Sequence, residues 1–283
     1  MKREDADRLR ADALLAYDLA VSSSLEGRYP LPEGVEMPFD DPSPLDLPDR
    51  TSSRSAPASF GGAMRDPASQ PRLRLVGFDE AGRGALAGPV VVACVHLDTG
   101  SIGEDPAGLD LADALRGVDD SKRLSAAKRD RLFDRIVSVA AFGVGAASAR
   151  EIDVSGIVCA CRVAARRAYR NLGAEVDAGL FDRGLSLRGE RGRPLEAGRL
   201  LPEATAVGAD GRSLHVACAS IVAKVTRDRM MCRLARVFPG YAFERHKGYG
   251  TTIHREAIRI LGPASIHRRS FLRGCESTKS QSC

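Results

Sequence analysis

No window of the 283-residue sequence approaches eighteen apolar residues, so an α-helical membrane span is excluded. The first twenty residues, MKREDADRLRADALLAYDLA, lack the apolar stretch that a signal peptide needs, and the expectation is a cytoplasmic protein. Cysteine shows no framework: there are seven, an odd number at irregular spacings. A chain this long needs no disulfide staples, and Cys94, Cys159, Cys161, Cys218 and Cys232 read as buried thiols rather than a metal site. No internal repeat is present, which removes solenoid architectures.

What is present suits a globular protein with a sizeable core, with 43% hydrophobic residues. The net charge of +5 is spread unevenly. Residues 1–72 carry nine basic against thirteen acidic side chains, and residues 73–283 carry thirty-three against twenty-four. An acidic leader before a basic body points weakly to a polyanionic partner. Within the leader, residues 4–20 can form a short helix with Leu9, Leu14, Leu15 and Leu19 on one side. From Tyr29 to Pro71 there are nine prolines and a Ser/Gly-rich stretch, a composition that cannot assemble a core. Residues 1–72 are therefore expected to be a largely disordered extension.

Order is expected from Leu73. RLRLVGFD alternates like a strand, and GPVVVACVHL reads as a second, more buried one. SAAKRDRLFDRIVSVA looks helical, with Ser125 as N-cap, and FGVGAASA reads as a third strand. GIVCACRVAARRAYRNLG is an amphipathic helix with an arginine-rich outer face, closed by Gly173. AGLFD and ATAVGAD read as strands ending on Asp182 and Asp210, and a helix over about 214–238 follows until Pro239-Gly240. Alternating strands and helices predict an α/β domain, a central mixed sheet flanked by helices, over 73–272. Its helical C-terminal part spans about 214–272, and residues 273–283 form a tail.

Three strands thus end on acids: Asp79-Glu80, Asp182 and Asp210. In an open α/β sheet, strand ends meet at one edge, where such folds place their sites. Converging carboxylates raise one another's pKa unless cations relieve them, and oxygen donors favour Mg²⁺ or Mn²⁺. Two such ions about 4 Å apart suit phosphodiester hydrolysis. Neighbouring residues of a strand face opposite ways, so Asp79 and Glu80 can cooperate only if the strand ends at Asp79 and the chain turns at Ala81-Gly82. Gly82 and Gly84 would then let the backbone approach a sugar-phosphate, with Arg83 beside it.

GFDEAGRGALAGPVVVACV resembles the opening motif of the ribonuclease HII family, the type 2 ribonucleases H of bacteria. Further matches follow in order: Asp120-Ser121-Lys122-Arg123-Leu124, EIDVSGI at 151–157, Asp182, Asp210, ASIVAKVTRD at 219–228, FPGYAFERHKGYGT at 238–251 and IHRRSF at 266–271. The resemblance covers about residues 73–272 and implies a ribonuclease H-like fold. It implies an endonuclease that cuts the RNA strand of RNA–DNA hybrids and incises duplex DNA 5′ to a single ribonucleotide, leaving 5′-phosphate and 3′-hydroxyl ends. Asp79, Glu80, Asp182 and Asp210 would hold two Mn²⁺ or Mg²⁺ ions. Gly82, Arg83 and Gly84 would read the 2′-hydroxyl, Tyr249 would stack on the sugar on the DNA side of the junction, and Ser121, Lys122 and Lys247 would contact phosphate.

Some residues depart from that pattern. Asp182 is followed by Arg183, where glycine usually comes soon after, and 184–202 looks like an enlarged arginine-rich hairpin. Gly208-Ala209 stands where a Lys-Gly pair is usual, and His215 where several relatives have an acid. His246, His254 and His267 read as structural or polar contacts rather than ligands, since hard metals favour oxygen. The related ribonuclease HIII family lacks the arginine of the glycine motif and carries a folded N-terminal domain, which argues against it. A catalytically silent nucleic-acid binder is disfavoured by the presence of all four acids. The tail LRGCESTKSQSC lacks the Gln-x-x-aliphatic-x-x-aromatic-aromatic pattern of a sliding-clamp ligand, and a monomer is expected.

Overall fold

The computed structural model describes residues 3–25, 35–36, 73–98, 111–188 and 201–272. Five strands and a two-residue edge form one mixed sheet in the order β1-β6-β5-β2-β3-β4. These are β1 (Val35–Glu36), β2 (Leu75–Ala81), β3 (Val90–His96), β4 (Ala141–Ala147), β5 (Ala178–Asp182) and β6 (Glu203–Ala206). β2, β3 and β4 form an antiparallel meander, whereas β5 and β6 lie parallel to β2. The parallel strands bring their C-terminal ends to one edge.

A helix covers each face. α5 (Ile157–Arg170) lies on one, burying Ala160, Cys161, Ala164, Ala165 and Ala168 with Val76, Phe78, Val92 and Phe181. Its small residues allow close approach because β4 is bare there: a Cβ at Gly143 or Gly145 would stand 2.1 Å from a carbonyl oxygen of α5. On the other face lies α6 (Leu214–Val237), whose first half is buried almost all round. Ser213 caps α6 by accepting from Val216 N, and Ser125 caps α3 (Ala126–Val139) by accepting from Lys128 N. Two short helices, α2 (Leu111–Ala114) and α4 (Ala149–Ser155), complete the layers, and α7 (Phe243–His246) and α8 (Thr252–Leu261) form the helical C-terminal part.

Several expectations need correction. β2 does not alternate in burial, because α5 and α6 bury both of its faces. It runs past Asp79 and Glu80 to Ala81, still paired with β3. β6 stops at Ala206, so Asp210 sits not on a strand end but in a single 3-10 turn, Ala209–Gly211, entered through Gly208. Cys94, Cys161 and Cys218 are buried, Cys159 is half-buried and Cys232 is exposed; all five thiols are free. Asn171 caps α5 and Gly173 follows with φ +67. No described helix is long and apolar enough to cross a membrane.

The leader differs most from expectation. Its helix, α1 (Arg3–Leu25), is longer than the 4–20 reading and packs into the core, burying Ala11, Leu14 and Val21. Val35 and Glu36 pair with Ala206 and Thr205 as an edge of the sheet. The apolar count underrated α1 because its inward face also carries buried Asp18. The remainder of the proline-rich stretch, residues 189–200 of the arginine-rich hairpin, and the tail with Cys275 and Cys283 lie outside the described residues.

Candidate active site

Register in the parallel pair sets the first two acids. Phe78 pairs with Phe181, their rings stacked at 4.4 Å on the α5 side, and one step further along each strand stand Asp79 and Asp182. Strand alternation turns Asp79 to the opposite, α6 side. There it is 5% exposed and accepts a hydrogen bond from Ser220 of α6. Glu80 points to the α5 side, where its carboxylate meets Arg83 at 3.3 Å. As placed, the two side chains leave the strand on opposite sides, and the charge of Glu80 still acts on Asp79. Burial, then the charge of Glu80, pushes the Asp79 carboxyl well above the usual range. Burial also raises Glu80, against the opposing pull of Arg83.

Asp210 is 6% exposed and accepts from Lys122 Nζ at 3.1 Å. Desolvation opposes the charge on Lys122, but the hydrogen bond and the charge of Asp210 outweigh it and raise its pKa. Asp182 Oδ1 accepts from Ala209 N at 3.2 Å, which ties the end of β5 to the turn bearing Asp210. Gly184, with φ +90, packs beside the Arg83 guanidinium, so the glycine expected after Asp182 is present two positions on. Ser121, expected at a phosphate, is instead 4% exposed and shares a 2.7 Å hydrogen bond with Ser220, behind Asp79.

The glycine loop is strapped from behind by two buried arginines. Arg268 donates to Gly82 O at 2.8 Å, Arg83 O at 2.9 Å and Gly88 O at 3.0 Å. Arg227 donates to Pro89 O at 2.9 Å and Ala87 O at 3.2 Å. Burial, then the charge of Arg227, lowers Arg268 to about 10, which leaves it cationic at neutral pH. Leu86 N and Ala87 N donate to Gly248 O, so HKGYGT is stitched to the same loop and Tyr249 is brought beside it. The Tyr249 ring lies 5.4 Å from Lys224 Nζ and 5.2 Å from the Arg227 guanidinium. Gly84, by contrast, faces open space. Lys247 adopts φ +53, its ammonium on Glu244 O, and lines a groove of about 1020 Å³ between α3, α6 and α7. Arg129, Lys224, Arg229, Arg233 and Arg245 line it too.

Three residues of this framework were missed in the sequence: Ser220, Arg227 and Arg268. Ser220 and Arg227 fall within ASIVAKVTRD and Arg268 within IHRRSF, so the motifs marked their positions without revealing their contacts. The histidines take the structural place expected for them. His254 Nε2 meets His267 Nε2 at 3.1 Å, His254 stacks on His246 at 4.3 Å, and all three pack around Phe243.

The ribonuclease HII family model matches residues 76–274. The chain belongs to the ribonuclease HII family. Among the curated members it resembles is a ribonuclease HII of Ruegeria pomeroyi, 43% identical over 72% of this chain and 78% of that protein. Another, from Paramagnetospirillum magneticum, is 46% identical over 69% of this chain and 88% of its own length. The fold is shared with the ribonuclease H2 of Pyrococcus horikoshii, at a TM-score of 0.52 and 24% identity over 72% of this chain and 97% of that one. A ribonuclease HII of Archaeoglobus fulgidus, solved in complex with PCNA, gives a TM-score of 0.50 at 24% identity, covering 75% and 98%. The family match begins inside β2, so α1 lies outside it.

Among the described residues, no three His, Cys, Asp or Glu groups stand close enough to hold a metal ion as placed. Glu80 leans on Arg83 and Asp210 on Lys122, two side-chain cations that offset the acids. The donor set nonetheless fits a hard divalent cation. It consists of carboxylates, and Glu80 Oε2 is buried with no hydrogen-bond partner among the described residues. A buried, donor-free carboxylate oxygen and a neighbour with a raised pKa are what an oxygen-seeking cation relieves.

Proposed function

We propose that this chain is an endonuclease that hydrolyses the RNA strand of RNA–DNA hybrids and incises duplex DNA 5′ to a single ribonucleotide. The observation that carries the proposal is buried Asp79 and part-buried Glu80 directly behind the strapped loop Gly82-Arg83-Gly84, with Asp182 and Asp210 at the same sheet edge. Asp79, Glu80, Asp182 and Asp210 would hold Mn²⁺ or Mg²⁺. When bound, two such ions supply an activated water and charge stabilisation at the departing 3′ oxygen.

The chain's own groups bind and orient. Arg268 fixes the carbonyls of Gly82 and Arg83, and open Gly84 leaves the backbone free to meet a 2′-hydroxyl without a side chain intervening. Tyr249, with cations packed on its ring, offers a flat apolar surface to a sugar. The groove from Lys247 along α6, with its six basic side chains, suits the phosphates of the flanking duplex. Lys122 is poised between Asp210 and solvent, where it can meet phosphate, while buried Ser121 supports Asp79 through Ser220. No covalent intermediate is expected: burial pushes the nearby Cys161 thiol up to about 11, and the histidines are committed to one another and to backbone.

The test is cleavage of a labelled DNA duplex carrying one ribonucleotide, beside an all-DNA control and a long hybrid, with Mn²⁺, Mg²⁺ or EDTA. A metal-dependent cut 5′ to the ribonucleotide, absent from the control, is expected. Binding of every substrate with cleavage of none would refute the enzyme reading.

A further inference from the structure

We infer that α1, outside the family match, is a strut for the catalytic centre, and that Arg10 is a positioning residue for Asp210. The inference rests on the reading of Asp210 as a metal ligand. The Arg10 guanidinium reaches two loops at once. Its Nε and Nη2 donate to Asp119 Oδ1 at 3.3 and 3.0 Å, and Nη2 also donates to Gly211 O. Asp119 opens the segment that carries Lys122, whose ammonium holds Asp210. Gly211 directly follows Asp210 in the 3-10 turn. Arg10, Asp119, Lys122, Asp210 and Gly211 thus close a ring in which one leader side chain sets the spacing of a cation and an acid of the centre.

The rest of α1 holds that arginine in place. Asp7 pairs with Lys128 of α3 at 3.3 Å, and Arg212, next to the turn, lies 4.9 Å over the Tyr17 ring. Eight residues beyond Arg10, buried Asp18 accepts from Leu214 N at 2.9 Å, His215 N at 3.1 Å and His215 Nδ1 at 2.7 Å. A carboxylate there satisfies free N–H groups at the start of α6, the helix that carries Ser220 and Arg227. Positions 7, 10, 11, 14, 18 and 21 recur at helical spacing and make one inward face, polar over the loops and apolar over the core. A leader attached only as a tether would have no reason to place two charges on the backbone and side chains framing Asp210.

Groups that orient metal ligands through hydrogen bonds typically influence metal affinity by about tenfold or more. The test is calorimetric titration of the full-length chain with Mn²⁺, with cleavage of hybrid measured alongside. Arg10→Gln should weaken Mn²⁺ binding by about tenfold, and Arg10→Lys should restore part of it. Asp12→Asn, on the exposed side of α1, should change nothing. Asp119→Asn cuts the same bridge from its other end but spares the contact to Gly211 O, so the double variant should bind no more weakly than Arg10→Gln alone. Ala11, Leu14 and Val21 remain in all variants, and thermal melts verify that each is folded. Wild-type affinity in Arg10→Gln, or losses that simply add in the double variant, would overturn the inference while leaving the metal site standing. Absence of Mn²⁺ binding by the unaltered chain would overturn both.

Discussion

Gly82→Ala is the sharpest probe of the glycine loop. Gly82 has φ +89, and a Cβ there would lie 1.8 Å from Arg227 Nε and 2.5 Å from its Cδ and Cζ. Left-handed backbone costs an alanine about 1–2 kcal/mol. The clash cannot be relieved by a harmless swing, since Arg227 is 0% exposed and donates to two carbonyls of the same segment. Expelling it would forfeit two charged hydrogen bonds, about 1.5–3 kcal/mol each. The combined cost, about 4–8 kcal/mol, is comparable with the whole stability of a domain. The chain has one cheaper escape, a shift of the loop by roughly 1.5 Å, yet a displacement of about 1 Å at a reacting centre can cost about a hundredfold in rate. Either route is visible. Thermal melting should fall steeply, or single-turnover cleavage of hybrid should drop by about a hundredfold with melting preserved. Gly84→Ala is the matched control, for no heavy atom lies within 4 Å of its would-be Cβ. It should melt like wild type and lose discrimination between ribose and deoxyribose rather than stability. A Gly82→Ala protein that melts and cuts like wild type would refute the close-packing argument.

Other outcomes follow from the buried charges. Asp79→Asn should abolish turnover while leaving hybrid binding largely intact. Because burial holds Asp79 above its ordinary pKa, its ionised form destabilises the native chain at neutral pH, so in EDTA the asparagine variant should melt higher at pH 7 than wild type. A lower melting temperature would contradict the assigned burial cost. Arg268→Met removes a donor from Arg83 O and Gly88 O, while Gly82 O keeps Ala85 N, and should cost about 2–6 kcal/mol, read as a fall in melting temperature of roughly 10 °C. Burial, against a hydrogen bond to Tyr249 O, lowers His254 to about 4. The unfolded chain therefore binds a proton the native one refuses between about pH 6.5 and 4. Stability should be full above that window and fall on acidification, by at most on the order of 3 kcal/mol from this group. His254→Gln should flatten that dependence, and an unchanged slope would reassign it.

The sheet and its two covering helices were legible because their signals are local and redundant. β3 is a continuous apolar run, α3 carries its own serine cap, and α5 shows small residues at helical spacing. Burial of β2 on both faces was not legible, since LVGFDEA mixes glycine and two acids into a strand that tertiary packing buries anyway. The end of β6 was misread for a similar reason. Ala-Val-Gly-Ala-Asp suits a strand by composition, but Gly208 in a left-handed conformation starts a turn that only the N-terminus of α6 explains.

At the site, the acids and the glycine loop stood out as candidates in the sequence because chemistry restricts which residue types can serve there. What positions them was hidden, because arginine carries no local signature of where its guanidinium will land. Arg227 and Arg268 each reach across more than a hundred residues to carbonyls of the glycine segment, and Arg10 reaches as far to Asp119 and Gly211. All three look like surface cations in sequence, yet Arg227 and Arg268 are wholly buried. The packing of the leader's helix was hidden for the same reason. Residues 4–20 read as a helix with only a partial apolar face, while Asp18 is a buried carboxylate whose partner, His215, stands nearly two hundred residues away. His215 looked like an anomaly where an acid was expected. Set against Asp18, it is the complementary half of a pair, and a departure in the family-matched region and a helix in the leader become one feature. Replacing Asp18 by Ala should therefore injure the start of α6 as if the family-matched region itself had been altered, leaving His215 Nδ1 and two backbone donors unpaired at a cost of about 1–3 kcal/mol for each group. Restoring an acid by His215→Glu in that background should not compensate, because the orphaned N–H groups would still face no carboxylate from α1. A protein that melts like wild type after Asp18→Ala would show that the helix merely rests on the domain.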